Sequence, residues 1–265
     1  MPAAPPAVSM GGGPGSPALV AVAHGSRDAR SAATISRLVD EVRRQRPDLD
    51  VRLSFLDLSA PRLPDVLAAV AGEHRHAVVV PLLLGNAFHA RVDVPGAVAR
   101  AARRHPRLRV TIAGVLGGDP RLEGAALRRL AEVAGPLEAP GLGVVLAATG
   151  SSHAPANASV GRLATAWADR HRWHGGLAAF ATAASPSVPE AIHRLRACGA
   201  ERIAIAGWFL APGLLGRRVA QAALAADPTV RIAAPLGADA SVAEVIVDRY
   251  LAAAAAETGA ERAAG

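Results

Sequence analysis

The 265-residue sequence has a single cysteine, Cys198, no lysine, and only 3% aromatic residues. Each scarcity removes a class of protein. One thiol can close no internal disulfide and build no Cys-based zinc site, which suits a reducing compartment and a cytoplasmic protein. Few aromatics leave little on which bases could stack, and no basic run stands out, so no nucleic-acid partner is expected. No apolar run approaches the ~18 residues that span a bilayer, so no membrane partner is expected either. Positions 1–17 are rich in Pro, Gly and Ala, with neither a basic n-region nor an apolar h-region. They read as a disordered tail rather than a signal peptide. Positions 252–265 read as a frayed helical tail.

What is present is largely short and apolar. Hydrophobic residues make up 51% of the chain, but much of that share is alanine. The core must therefore rest on Val, Leu and Ile, and helices are favoured. The net charge of +7 is carried by arginine alone. Most of these arginines are explained as solvated surface. An anionic partner is the functional alternative, because a guanidinium grips carboxylates and phosphates through a two-pronged fork.

Apolar strand patterns at 18–23, 51–56, 77–84 and 110–115 alternate with helical ones. That alternation predicts parallel βαβ units with both sheet faces covered. The pattern then runs again. A strand over 144–148 ends in Thr149-Gly150-Ser151-Ser152, as the first strand ends in His24-Gly25-Ser26-Arg27. Phe55 and Phe180, Pro61 and Pro186, and Pro64 and Pro189 repeat at the same spacing, and 78–84 matches 203–209. Leu116-Gly117 and Leu236-Gly237 repeat at a shorter one. The fold class expected is α/β, in two tandem duplicated halves, each a mostly parallel sheet flanked by helices, with a cleft between them. The halves are 18–138 and 139–251. Pro136, Pro140 and Gly141 break the periodicity at the boundary.

The halves differ where chemistry would sit. In an open parallel sheet, ligands bind outside the carboxyl ends of the strands. His24 follows the first strand, Asp57 the second and His89 the third, so all three are expected on one rim. Their counterparts are Thr149, Thr182 and Leu214. Two imidazoles and a carboxylate suit a divalent transition metal. Each residue also has a plainer explanation: a turn histidine, a turn aspartate, a solvated loop histidine. Their joint loss from the second half is what lifts the set. Ser26 reads first as a helix N-cap, and Gly25 as the residue that permits the tight turn. Trp208 and Phe209 are expected as core residues of a buried strand. The remaining histidines are expected at solvated positions.

The stretch Ala23-His24-Gly25-Ser26-Arg27-Asp28 resembles the signature that follows the first strand of the class II chelatases. Phe55-Leu56-Asp57 resembles that family's Phe-Leu-Glu element, with an acid one methylene shorter. The run from Pro81 to Pro95, with His89-Ala90-Arg91-Val92-Asp93 at its centre, is similar to the loop carrying the family's second active-site histidine. The resemblance is to the long, two-half sirohydrochlorin chelatases of the siroheme and cobalamin branches. It implies an enzyme that inserts a divalent metal, Fe²⁺ or Co²⁺, into sirohydrochlorin. The metal is then a substrate, and no cofactor is permanently bound. The resemblance implies His24 and His89 as the metal-handling pair and Asp57 as the family's acid, a third catalytic residue. Ser26, Arg27 and Arg91 are candidates for binding the substrate's carboxylates, and the protein is expected as a monomer or homodimer. The alternative is a tetrapyrrole- or metal-binding protein without catalysis.

Overall fold

A strand that is apolar at every position needs cover on both faces, and β1 (Ala18–Ala23) has it, being buried throughout. The computed structural model describes residues 16–85, 93–139 and 141–264. After β1 come α1 (Ala29–Gln45), β2 (Val51–Phe55), α2 (Leu63–Glu73), β3 (His76–Pro81), α3 (Val94–Arg104), β4 (Arg109–Ile112) and α4 (Pro120–Ala134). The alternation repeats as β5 (Leu142–Ala148), α5 (Ala154–His171), β6 (Gly175–Phe180), α6 (Val188–Ala197), β7 (Arg202–Gly207), α7 (Leu214–Ala226), β8 (Arg231–Ile232) and α8 (Ala240–Ala264). Two four-stranded parallel sheets result, ordered β2-β1-β3-β4 and β6-β5-β7-β8. The duplicated α/β architecture is thus as expected.

Period-two alternation along the central strands divides the core into layers. Ala18, Val20 and Val22 face outward to α2 and α3, packing with Leu63, Leu67 and Val98. Val145 and Ala147 do the same towards α6 and α7. The alternate residues, Leu19 and Ala21 with Val144 and Leu146, point into one cluster shared by both halves. Helix α1 joins that cluster through Ile35, Leu38, Val39 and Val42, one stripe at helical spacing.

The last helix of each half crosses to the other. Helix α4 lies against β7 and β8, while α8 lies against α1, β3 and β4. Polar contacts fix the exchange. Arg249 donates to the carbonyls of Val115 and Leu116 at 2.9 and 3.2 Å. Arg121 reaches Asp248 at 2.6 Å, and Arg128 reaches Asp239 at 2.7 Å. The stretch from 252, expected as a tail, continues α8, as its high alanine content favours. Ala254 is buried, and Glu257 accepts a hydrogen bond from Thr111 Oγ1 at 2.9 Å. No helix among the described residues is long and apolar enough to cross a membrane.

Strand pairing corrects two details of the repeat. Leu82 N–H bonds to Val22 and Trp208 N–H to Ala147. Leu82 therefore matches Trp208, one position later than the spacing of the first two strands requires, and 78–84 corresponds to 204–210. The additional residue lies in the turn before β7. Leu116 N–H then bonds to Leu83, as Leu236 N–H bonds to Phe209. The connection from β3 to α3 covers 82–93, and that from β7 to α7 only 208–213. His89 falls within the longer connection. It has no counterpart at Leu214, because that part of the connection is missing from the second half.

Candidate functional site

His24 is the first residue beyond β1, at the carboxyl end of the sheet, and is exposed. The chain then turns at Gly25, whose φ is +94°. A Cβ at Gly25 would stand 1.7 Å from the carbonyl oxygen of Asp57, so only glycine allows the β1–α1 turn to press onto the β2–α2 turn. The Asp57 amide donates to the His24 carbonyl at 2.9 Å, which locks the two turns together. His24 and Asp57 thereby become neighbours although they come from different strands. The second half repeats the backbone device without the ionisable groups. Gly150 has φ +87°, its Cβ would lie 1.9 Å from the Thr182 carbonyl oxygen, and the Thr182 amide donates to Thr149 at 3.0 Å.

The Asp57 carboxylate is exposed and doubly bonded. Its Oδ1 accepts from the Leu58 amide at 2.8 Å and from Arg62 Nη1 at 2.8 Å. The Leu58 hydrogen bond, the Arg62 guanidinium and the nearby His24 together hold its carboxyl below the usual aspartate range. Asp57 is therefore a fixed negative charge at the rim. Arg62 carries no motif that marks it in the sequence, and only the fold shows it pairing with Asp57.

Ser26 does not cap the helix. Asp28 is the N-cap of α1, accepting from the Arg30 amide at 3.1 Å. Ser26 instead braces the turn: its Oγ accepts from the Asp28 amide at 3.1 Å, and its own amide donates to Ser59 Oγ at 3.2 Å. The displacement follows from the turn, which needs two further residues before the backbone becomes helical. Arg27 lies exposed on the same turn. His89 and Arg91 lie outside the described residues.

The second half closes over this turn. A Cβ at Gly213, just before α7, would lie 3.9 Å from Ser26 Oγ. Arg217 Nη2, one turn into α7, is 3.8 Å from Asp28 Oδ2. Trp208 and Phe209, expected inside a strand, lie just beyond β7 in this same connection and are only half-buried. Trp208 packs edge-on against Trp167 at 6.2 Å, which anchors the connection to α5.

Among the described residues, one further group combines histidine and carboxylates at metal-ligand proximity: Asp50, Glu73 and His74. It lies at the opposite end of the first sheet, and Arg52 already bridges its two carboxylates, at 2.5 Å to Asp50 and 2.7 Å to Glu73. The guanidinium supplies the positive charge a metal ion would bring.

Two parallel sheets from one duplicated unit, with His24 and Asp57 at the rim of one copy and Thr149 and Thr182 at the same places in the other, define a two-half α/β protein. The chain belongs to the CbiX family, whose model matches residues 18–133 and again 143–253. It is 26% identical to the sirohydrochlorin ferrochelatase of Bacillus subtilis over 91% of this chain and 94% of that protein. It is 23% identical to the sirohydrochlorin cobaltochelatase of Priestia megaterium over 64% of this chain and 56% of that protein. Among solved structures, SirB from Bacillus subtilis with Fe³⁺ superposes with a TM-score of 0.76 at 25% identity, covering 92% of this chain and 98% of that one.

Proposed function

We propose that this protein inserts a divalent metal, Fe²⁺ or Co²⁺, into sirohydrochlorin. The observation that carries the proposal is the His24–Asp57 pair, held by the Gly25 turn at the carboxyl rim under the edge of the second half. Relatives that act on sirohydrochlorin with iron and with cobalt support the same reading.

Insertion requires the metal to shed water and the macrocycle to lose its pyrrole N–H protons. His24 and His89, as neutral imidazoles, hold the incoming metal through their one free ring nitrogen, and each takes a pyrrole proton on that nitrogen once its bond to the metal has passed to the macrocycle. Asp57 stays ionised, because its carboxyl is held low by Leu58, Arg62 and His24. Its part is electrostatic: it stabilises positive charge arriving at His24, whether metal or proton. Ser26 braces the turn that positions His24. Arg27 and Arg91 bind substrate carboxylates.

The test is the absorbance change of anaerobic sirohydrochlorin with Fe²⁺ or Co²⁺. Wild type accelerates insertion, and His24→Ala and His89→Ala each lose about 100-fold or more. The rate also falls as pH drops through the range in which imidazole protonates. The two metal rates rank the physiological choice between iron and cobalt. Insertion no faster than background in wild type overturns the assignment and leaves a binding protein.

A further inference from the structure

The second half has Thr149 and Thr182 where the first half has His24 and Asp57, yet it carries a cavity of about 240 Å³ beside the first half's rim. Its walls are apolar, formed by Phe209, Pro212, Val219 and Ile232. Arg30 from α1 and Arg217 from α7 also line it, so the two halves contribute one guanidinium each. Asp28 sits between them. It binds Arg30 through two hydrogen bonds, at 3.0 and 2.7 Å. It meets Arg217 at 3.8 Å, close enough for charge attraction and too far for a hydrogen bond. Two positive groups and one negative leave net positive charge, and Arg217 keeps donors to offer.

Apolar walls with guanidinium groups are complementary to a carboxylate mounted on an apolar frame. We infer that this cavity seats one carboxylate-bearing edge of the anionic tetrapyrrole, with Arg217 as the principal contact and Arg30 beside it. The inference rests on the function proposed above and gives the second half a part in it, gripping the macrocycle while the first half handles the metal. Continuity supports it. Gly213 lines the cavity and also approaches Ser26 on the turn that carries His24. A macrocycle with one edge in the cavity therefore extends towards the histidine.

Two variants test this by different means. Arg217→Gln removes the charge. Gly216→Leu blocks the cavity: Gly216 lines it, a Cβ there meets nothing within 4 Å, and leucine suits a helix better than glycine does. Metal-free sirohydrochlorin is titrated into each protein, with its absorbance and fluorescence as readout and thermal melts as the folding control. Both variants should melt like wild type and bind about tenfold or more weakly. In the insertion assay, KM should rise by a similar factor, with kcat affected far less. His24→Ala should bind normally and fail to insert metal. Binding as tight as wild type in both variants overturns the cavity assignment while leaving the chelatase reading intact. A wild type that binds the tetrapyrrole without speeding insertion, with binding lost in both variants, keeps the cavity and rejects the chelatase. A wild type that does not bind the tetrapyrrole rejects both.

Discussion

At Gly25 the backbone takes a conformation that L-residues rarely adopt, and the space a side chain would need is filled by the Asp57 carbonyl. Gly118 has a similar φ of +85°, but a Cβ there meets nothing within 4 Å. The pair separates conformational cost from collision. Gly118→Ala should lower stability by about 1–2 kcal/mol, the cost of a left-handed alanine. Gly25→Ala should lose more than about 3 kcal/mol, because the two turns must also part. If the proposed function holds, it should abolish metal insertion as well, since separating the turns separates His24 from Asp57. Urea unfolding of the two variants measures the difference, and equal losses would show that the turns are not in the contact described. The role of Gly25 as a turn residue was legible in the sequence. Its partner was not, because nothing local indicates that Asp57, more than thirty residues away, supplies the obstructing carbonyl. The same limit applies to Ser26. A serine just before a helical pattern is a fair N-cap candidate, but where the backbone turns helical depends on the packing of the two turns, and Asp28 takes the cap.

Helix α1 starts where three demands meet on Asp28: it caps the helix, binds Arg30 and faces Arg217. Its carboxyl is held down to about 2, chiefly by the Arg30 hydrogen bond, with Arg217 adding to the effect. A carboxyl whose folded pKa lies below its ordinary value of 3.8 stabilises the fold above that value. The contribution is lost as pH falls through about 2. Asp28→Asn keeps a capping oxygen and removes the charge, whereas Asp28→Ala removes both. At neutral pH the alanine variant should melt lowest, about 2–4 °C below wild type, with asparagine between. Near pH 2 the wild-type advantage over asparagine should have largely gone. A gap that persists unchanged there would show that the carboxylate charge contributes nothing to the helix start. At the level of elements, the alternation of strand and helix was readable from apolar runs and helical stripes. The ends were less so. The apolar run over 77–84 leaves the strand after Pro81, and Trp208 and Phe209 lie outside β7, because burial continues into the connections at the rim. Leu82 and Trp208 join the cluster shared by the halves, whereas Phe209 packs on the outer layer of its own half.

Exchange of the last helices sets the behaviour of the whole molecule. The repeat signals two similar halves, and two halves suggest two units that could fold separately. No sequence pattern shows that α4 covers β7 and β8 while α8 covers β3 and β4, because the apolar stripe of a helix does not name the sheet it will meet. The consequence is physical. A fragment of residues 1–139 carries α4 but lacks α8, so β3 and β4 lose their cover and Leu122, Leu130 and their neighbours lose the second sheet. A fragment of 140–265 has the converse defect, with Val242, Val245 and Ile246 of α8 stripped of the core they share. Each exposed face is apolar and contiguous, the kind of surface that drives association in water. The intact chain should therefore unfold in one cooperative transition, with far-ultraviolet circular dichroism and tryptophan fluorescence coincident. Either fragment alone should aggregate or remain unstructured. The two refolded together should form a one-to-one complex with native circular dichroism, and with metal insertion restored if the proposed function holds. Two separate melting transitions in the intact protein, or a 1–139 fragment that folds alone, would mean that α4 and α8 decorate the sheets rather than complete them. Separation of the halves would then also separate the His24 turn from Gly213 and Arg217, and loss of tetrapyrrole binding in a folded 1–139 fragment would locate that grip in the second half.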